Sequence, residues 1–197
     1  HRAAQNGMGA LSFAFFDPEE AREWVDDYYT TLEREAVPIG DAVNPNIACV
    51  TTFFCHEDSE EAVRRGAFGA NFIGYSLGHY YVYGRHQPAM TDLWADYKRR
   101  RKEKGYDPEA VQLAASNPDQ LGAKVMEEGV TGLRGAMGTP EQVRDYIRRY
   151  EDCGVDQLIL SCTSGKNKHG HIMECIELFS REVMPEFNER EEERQRK

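Results

Sequence analysis

Histidine and cysteine side chains lie in two short segments, and both residue types can bind zinc or act in nucleophilic catalysis. Cys55 is followed by His56. Adjacent residues of a strand point to opposite faces, so this pair cannot form the hydrogen bond that activates a thiol. The second segment contains Cys162, His169, His171 and Cys175. Their scattered spacing lacks a C-x-x-C pair, so we expect no metal and assign no catalytic residue.

Two segments of the sequence could bind an anion. The basic run Lys98-Arg99-Arg100-Arg101-Lys102 can attract a phosphate or sulfonate group, although a solvated helix face is the better explanation of such a run. Ser164 and Gly165, followed by Lys166, stand between a predicted strand and a predicted helix, where free backbone N–H groups favour an anion. Ser164 and Gly165 are therefore a secondary candidate for cofactor binding.

Composition restricts the class of protein. The 197 residues are 40% hydrophobic and 29% charged, as in globular proteins, and the formal net charge is −10. An acidic chain is poorly suited to a phosphate backbone, so we expect no nucleic-acid partner. No apolar run reaches about 18 residues and no secretory signal is visible, so we expect a cytoplasmic protein without a membrane segment. Five cysteines without close spacing do not indicate a disulfide framework.

Predicted strands alternate with predicted helices. Nearly continuous apolar stretches over 10–16, 46–55 and 156–161 predict strands, the first of them covered on both faces. A helix is expected after each of Asp17, Asp58 and Thr139, where capping boxes begin. Strands separated by helices imply parallel pairing, with the ligand site at the carboxyl ends of the strands. Three strands make either a small open sheet or part of a barrel.

Between these units lies a long insertion, about 75–137, placed where a barrel carries loops over its mouth. Its aromatic residues can line an apolar channel and exclude water, but core packing or a dimer contact is the favoured explanation. These residues are Tyr75, His79, Tyr80, Tyr81 and Tyr83. The final helix is expected to end near Val183, and the charged residues 188–197 to fray into solvent.

An ordered set of segments carries a resemblance to a known family. It comprises Arg2-Ala3-Ala4 with Gly9-Ala10-Leu11-Ser12-Phe13, Cys55-His56-Glu57-Asp58, Gly138-Thr139-Pro140-Glu141 with Gly154-Val155-Asp156, and His169 with the helix up to Pro185. Together they resemble the luciferase-like family of flavin-dependent monooxygenases. One departure is Lys168-His169-Gly170, where many relatives carry Pro-His-Glu.

The resemblance implies that the chain is α/β, the C-terminal portion of a TIM-type (β/α)8 barrel over residues 1–187 that lacks about the first five strands. The chain opens at His1 without an initiator methionine, so we expect a fragment. The implied activity is that of an enzyme in which reduced FMN and O2 oxygenate a small organic substrate. Relatives place substrate contacts on the strand face that matches Thr52 and Phe54, and we predict a substrate pocket at Thr52, Phe54, His56 and His169. Thr52 is equally well explained as an ordinary β-branched strand residue.

Two alternatives remain open at this stage. On the same fold, a deazaflavin can replace FMN and the reaction becomes hydride transfer without oxygen. In a different class, the chain is a non-catalytic half-barrel that acts through oligomerisation. A homo-oligomer is expected whichever function is correct, because a monomer would leave strand edges unpaired. A flavin reductase is a further implied partner of the monooxygenase.

Overall fold

The computed structural model describes residues 1–14, 18–83, 87, 90–104, 106, 125–126, 129–130, 135–163 and 165–195. Its strands are β1 (Ala10–Phe13), β2 (Ile47–Cys55), β3 (Val125–Met126), β4 (Gly129–Val130), β5 (Ala136–Gly138) and β6 (Gln157–Ser161). Its helices are α1 (Arg2–Gln5), α2 (Pro18–Glu35), α3 (Ser59–Gly78), α4 (Leu93–Arg100), α5 (Pro140–Asp152), α6 (His169–Glu182) and α7 (Met184–Gln195). A π-helical turn, His79–Tyr83, follows α3.

A four-stranded parallel sheet forms the centre of the fold. The long strand β2 pairs with β1, β5 and β6, all in the parallel sense. The predicted parallel α/β arrangement is thereby confirmed. The sheet is not closed into a barrel, because β1 and β6 each pair with β2 alone among the described residues. Strands β3 and β4 form a separate antiparallel pair.

One face of the sheet is covered by helices. Thr51 lies 3.1 Å from the hydroxyl of Tyr146 on α5, and the ring of Phe53 stacks edge-on against Phe179 of α6, with centroids 4.9 Å apart. Because side chains alternate along a strand, the odd-numbered residues of β2 all face this helical layer. They belong to the main hydrophobic core, which buries every odd position from Ile47 to Cys55.

The opposite face of the sheet is apolar and partly open. Phe13, Val50 and Ile159 are register partners across β1, β2 and β6, so their side chains form one row on this face. Phe13 and Ile159 are each 41% exposed, and Leu11 is 67% exposed. The prediction that β1 is covered on both faces is therefore wrong. Within the described chain, β1 is an edge strand that pairs with β2 alone.

Local capping signals predicted the helix starts well. Thr139 and Gln142 form the expected reciprocal capping box at α5. Asp58 accepts a hydrogen bond from the Glu61 N–H at 2.9 Å and caps α3. Gly154, with φ of +87°, follows α5 in the left-handed conformation that glycine favours. The box expected at Asp17 lies outside the described residues, although α2 begins at Pro18.

Two parts of the chain differ from the expectations. Residues 136–138, expected at the end of the insertion, form β5 and pair with Phe53–Cys55 of β2. The residues expected to fray form α7, which continues to Gln195. Arg148 donates two hydrogen bonds of 2.8 Å to Glu186, and Arg190 contacts Glu151 at 2.5 Å, so ion pairs tie this charged helix to α5.

Helix α3 and the part of the predicted insertion that contains α4 share a second hydrophobic cluster. Its buried residues are Tyr75, Tyr97 and Tyr106, with Phe72, Leu93 and Trp94 packed against them. Tyr75 also donates a hydrogen bond to Asp96, which is bound by Arg99. None of the helices in the described part of the chain combines the length and the apolar character needed to cross a membrane.

Candidate functional site

The carboxyl ends of β2 and β6 lie side by side. Thr52 is the register partner of Ser161, and each strand leads within a few residues into a loop that precedes a helix. The two loops, 56–58 and 162–168, contain three of the six predicted site residues, namely His56, Ser164 and Gly165. In open parallel sheets this edge is where ligands bind.

His56 is held at the corner between β2 and α3. Its backbone N–H donates to the carbonyl of Gly138 at 3.1 Å, which extends the pairing with β5. The Asp58 N–H donates to Nδ1 of the His56 ring at 3.0 Å. Nδ1 also lies 3.2 Å from the Asp58 carbonyl oxygen. Both contacts engage Nδ1 and hold the half-buried ring, so Nε2 is the nitrogen that the ring can offer to a ligand.

Thr52 is buried under the chain that enters β5. A β-carbon at Gly135 would lie 1.6 Å from the carbonyl oxygen of Thr52, so this approach requires glycine. The Thr52 side chain is 3% exposed. Its position on the same face as Val50 follows from strand alternation, as predicted.

Phe54 is fully buried beneath α3. A β-carbon at Gly66 would come within 2.8 Å of the Phe54 Cβ and 2.7 Å of the Met137 Sδ. The ring therefore belongs to the packing between α3, β2 and β5. Phe54 is therefore part of the packed layer beneath α3.

The loop after β6 contacts the same helix. Gly165 adopts φ of +67°, and a β-carbon there would lie 3.4 Å from the Cα of Gly69. Ser164 lies outside the described residues. His169 is exposed at the first position of α6, a helix whose N-cap residue, Lys168, makes no side-chain capping bond. Helix α3 thus contacts both Phe54 and Gly165, whereas His169 is exposed at the start of α6.

An ion-pair network crosses this edge of the sheet from α3 to α6. Arg65 bonds to Glu61 at 2.6 Å and to Glu174 of α6 at 2.7 Å. Hydrogen bonds from Arg64 and Arg65 lower the pKa of Glu61 to about 2. The Arg65 hydrogen bond lowers the pKa of Glu174, and His171 and His56 contribute by their charge. Both carboxylates are therefore ionised near neutral pH, beside His56.

Three cysteines, Cys55, Cys162 and Cys175, lie close together near these loops. The backbone N–H of Cys55 donates to Cys175 Sγ at 3.1 Å. A hydrogen bond from the Cys175 thiol lowers the pKa of Cys162 to about 7, whereas the same interaction, together with burial, raises the pKa of Cys175. All five cysteines are buried and reduced. Across the described ranges, no group of three or more His, Cys, Asp or Glu side chains is arranged to hold a metal ion.

A cavity of about 400 Å³ lies elsewhere, between β6 and the helices α5, α6 and α7. Its walls include Leu158, Leu160, Phe179 and Phe187. Since Leu158 and Leu160 face the helical layer, this cavity is on the opposite side of the sheet from Thr52. None of the predicted pocket residues lines it.

Comparison with protein families identifies the chain. The model of the luciferase-like monooxygenase family matches residues 1–157, which is more than half of the sequence. The chain belongs to the luciferase-like monooxygenase family. The resemblance inferred from the ordered segments is confirmed. A search of curated proteins finds no match.

Solved structures share the fold of this luciferase-like chain. Monooxygenase RslO1 from Streptomyces bottropensis matches with a TM-score of 0.54 and 15% identity, over 94% of this chain and 44% of that one. The coenzyme F420-dependent tetrahydromethanopterin reductase from Methanopyrus kandleri matches with a TM-score of 0.51 and 20% identity, over 94% and 47%. The FMN complex of the oxygenating constituent of 3,6-diketocamphane monooxygenase from Pseudomonas putida matches with a TM-score of 0.52 and 17% identity, over 93% and 44%. The luciferase-like chain therefore spans less than half the length of each.

Sequence reasoning missed the residues that bring the insertion onto the sheet. Gly66 and Gly69 allow α3 to approach β2 and the loop after β6, respectively. The available signal was the frequency of Gly and Ala along α3 of this luciferase-like chain, within GAFGANFIG. Small residues repeated inside a predicted helix indicate a close packing partner, because glycine otherwise weakens a helix.

Proposed function

We propose that this chain forms the C-terminal wall of a (β/α)8 barrel in an FMN-dependent monooxygenase, in which reduced FMN and O2 oxygenate a small organic substrate. The observation that carries the proposal is the difference between the two faces of the parallel sheet in this luciferase-like chain. Helices α5 and α6 cover one face, while on the other face α3 covers Phe54 and leaves Leu11, Phe13 and Ile159 apolar and partly exposed. A barrel wall has this construction, with helices outside and side chains directed inward.

The residues present fit a flavin-type cofactor. A planar aromatic ring system needs an apolar wall, and the row Phe13, Val50 and Ile159 supplies one. The bound cofactor would supply the redox chemistry. This chain's own residues would position it and exclude water, with α3 and its aromatic cluster closing the carboxyl edge.

Individual roles follow from the geometry. His56 would hydrogen-bond to the substrate through Nε2, and Thr52 and Phe54 would shape the pocket floor from beneath α3. His169 would border the pocket at the start of α6, and Ser164 and Gly165 would contact the cofactor. A cytoplasmic location, a homo-oligomer and a flavin reductase as electron donor are parts of the same proposal.

A second candidate function is hydride transfer with a deazaflavin. It is favoured by the structural likeness to the F420-dependent reductase, whose TM-score is close to that of the FMN-bound monooxygenase. The third candidate, a non-catalytic half-barrel, is favoured by the exposed apolar residues on the edge strands β1 and β6.

Titration of the chain with FMN, reduced FMN and a deazaflavin tests the proposal, with binding measured by cofactor absorbance or fluorescence. We expect FMN to bind and Phe13→Asp to weaken its binding about tenfold or more, because a charge on the open face opposes an apolar ring. Ser12→Asp is the matched control, since it places the same charge on the neighbouring residue, whose side chain points to the other face.

The outcomes separate the candidates. If the deazaflavin binds and FMN does not, the monooxygenase function is rejected in favour of hydride transfer. Binding of neither cofactor, combined with a stable oligomer by size-exclusion chromatography, would reject both enzymatic candidates and leave the half-barrel. Equal losses in the two variants would show that the open face is not the cofactor wall.

A further inference from the structure

Two basic segments that lie far apart in the sequence meet at one aromatic ring. Lys98 of α4 places Nζ 6.0 Å from the centroid of the Trp94 ring. Lys166, in the loop after β6, places Nζ 5.2 Å from the same centroid. We call these three residues the Trp94 site. It joins the insertion to the carboxyl end of β6, the edge where ligands of parallel sheets bind.

The Trp94 ring is firmly held. It packs edge-on against Phe72 at 5.2 Å and Phe68 at 5.7 Å, both on α3. The Tyr97 ring lies 5.4 Å away in a tilted arrangement. Aromatic contacts of this kind keep a ring in one orientation. The ring therefore has a fixed position, and both lysine ammonium groups contact it.

The loop that carries Lys166 is also organised. The Asn167 amide donates to the carbonyl of Cys162 at 3.1 Å, which closes the loop on itself. Gly165, immediately before the lysine, packs against α3 near Gly69. These contacts hold the backbone on both sides of Lys166, whose ammonium group lies over the Trp94 ring.

Nearby carboxylates are engaged with other groups. Asp92 accepts the Ala95 N–H at the start of α4, Asp96 is bound by Arg99 and Tyr75, and Glu103 contacts Lys104 at 3.4 Å. In the part of the chain that the structure describes, no carboxylate oxygen lies within 4.0 Å of Nζ of Lys98 or Lys166. Both ammonium groups therefore contact the Trp94 ring and no described carboxylate, which leaves their charge available to an anion.

We propose that Trp94, Lys98 and Lys166 form a binding site for the phosphate or carboxylate group of a small-molecule ligand. The net charge of −10 disfavours anions over the rest of the surface, so such a group needs a local site. The identity of the ligand rests on the function proposed above. The anionic group belongs either to the cofactor, as the phosphate of FMN, or to the substrate.

Inorganic pyrophosphate tests the site without a flavin. The chain contains two tryptophans, so Trp24→Phe leaves Trp94 as the fluorescent reporter. We expect pyrophosphate to change Trp94 emission as the lysines turn from the ring to the anion. Lys98→Gln and Lys166→Gln should each weaken pyrophosphate binding about tenfold, the value of one charge-assisted contact, and raised salt should weaken binding by the unmodified chain. Phosphorus NMR of pyrophosphate gives a readout independent of the ring.

Lys168→Gln is the matched control. It removes the same charge from the same loop, and Lys168 is exposed and precedes α6 as its N-cap residue. We expect its effect on pyrophosphate binding to stay below about threefold. The proposal is overturned if pyrophosphate does not bind, or if Lys168→Gln weakens binding as much as Lys166→Gln does.

FMN and riboflavin, which differ by the phosphate, identify the source of the anion. Tighter binding of FMN, with the difference lost in the Lys98→Gln, Lys166→Gln double variant, assigns the site to the cofactor. Equal binding of the two flavins, combined with pyrophosphate binding, assigns it to an anionic substrate. If neither flavin binds, the proposed function fails, while the pyrophosphate titration still decides whether the site exists.

Discussion

Gly66 and Phe54 are in such close contact that a β-carbon on residue 66 would lie 2.8 Å from the Phe54 Cβ. Real β-carbons essentially never approach so closely. This contact fixes how closely α3 packs on β2 at the carboxyl edge of the sheet.

Gly66→Ala should therefore destabilise the protein. Overpacking of a core costs about 1–3 kcal/mol, while the better helix propensity of alanine returns about 1 kcal/mol at most. We expect a net loss in the free energy of unfolding, measured with urea. Gly170→Ala in α6 is the control, because nothing lies within 4 Å of its added carbon, and it should be neutral or stabilising. Equal effects of the two changes would contradict the close packing of α3.

Asp156 should contribute to stability by joining three elements. Its Oδ2 accepts hydrogen bonds from the Tyr29 hydroxyl of α2 at 2.5 Å and from the Ile47 N–H of β2 at 2.7 Å. Asp156→Ala should reduce the free energy of unfolding by about 1–3 kcal/mol, since two donors lose an ionised acceptor. Asp156→Asn keeps one acceptor oxygen and should lose less. Asp41→Ala, in an exposed turn, should stay within about 0.5 kcal/mol of the unmodified protein.

The Cys162 thiol should be the most acidic cysteine. With its pKa at about 7, the thiolate fraction rises through neutral pH, whereas burial raises the pKa of Cys49 and Cys55 to about 11. Alkylation rates measured by mass spectrometry between pH 5 and 10 should show Cys162 reacting first. Cys175→Ala removes the hydrogen bond that stabilises the thiolate and should shift the profile of Cys162 to higher pH. An unchanged profile in that variant would refute the assigned cause.

Glu61 should make stability depend on pH in the acid range. Hydrogen bonds from Arg64 and Arg65 lower its pKa in the folded chain to about 2, from the usual value of 4.5. A lowered pKa means that the contribution is complete above about 4.5 and is lost as the pH falls towards 2. Glu61→Gln should thus lower the urea midpoint at pH 6 and approach the unmodified protein near pH 2. Glu60→Gln should show no such convergence, since Glu60 bears no comparable ion pair within the described chain.

Much of the local structure follows from short-range signals. The capping box of Thr139 and Gln142 and the cap of Asp58 locate two helix starts, because the bonds involved join residues three positions apart. The unbroken apolar run of β2 predicts a buried central strand. These signals are self-contained within a few residues, so a single sequence displays them.

The candidate site was less accessible to the same reasoning. The alternation that places Val50, Thr52 and Phe54 on one face could be predicted, but the cover over Thr52 and Phe54 comes from Gly135 and Gly66. The three-residue strand β5 exists through its pairing with Phe53–Cys55, and its own residues carry little strand preference. Helix α7 is joined to the distant helix α5 by two ion pairs, Arg148 with Glu186 and Arg190 with Glu151, and a single sequence does not display such a match.

By itself, the sequence determined the alternation of strands and helices, the parallel class of the sheet and the family, since these depend on local periodicity and on an ordered set of motifs. Tertiary structure alone decided that β1 stays exposed at an edge, that α3 lies over the carboxyl ends of the strands, and that Lys98 and Lys166 share the ring of Trp94. The reason is physical. Burial and charge pairing are properties of neighbours in space, and packing selects those neighbours only when distant segments come together.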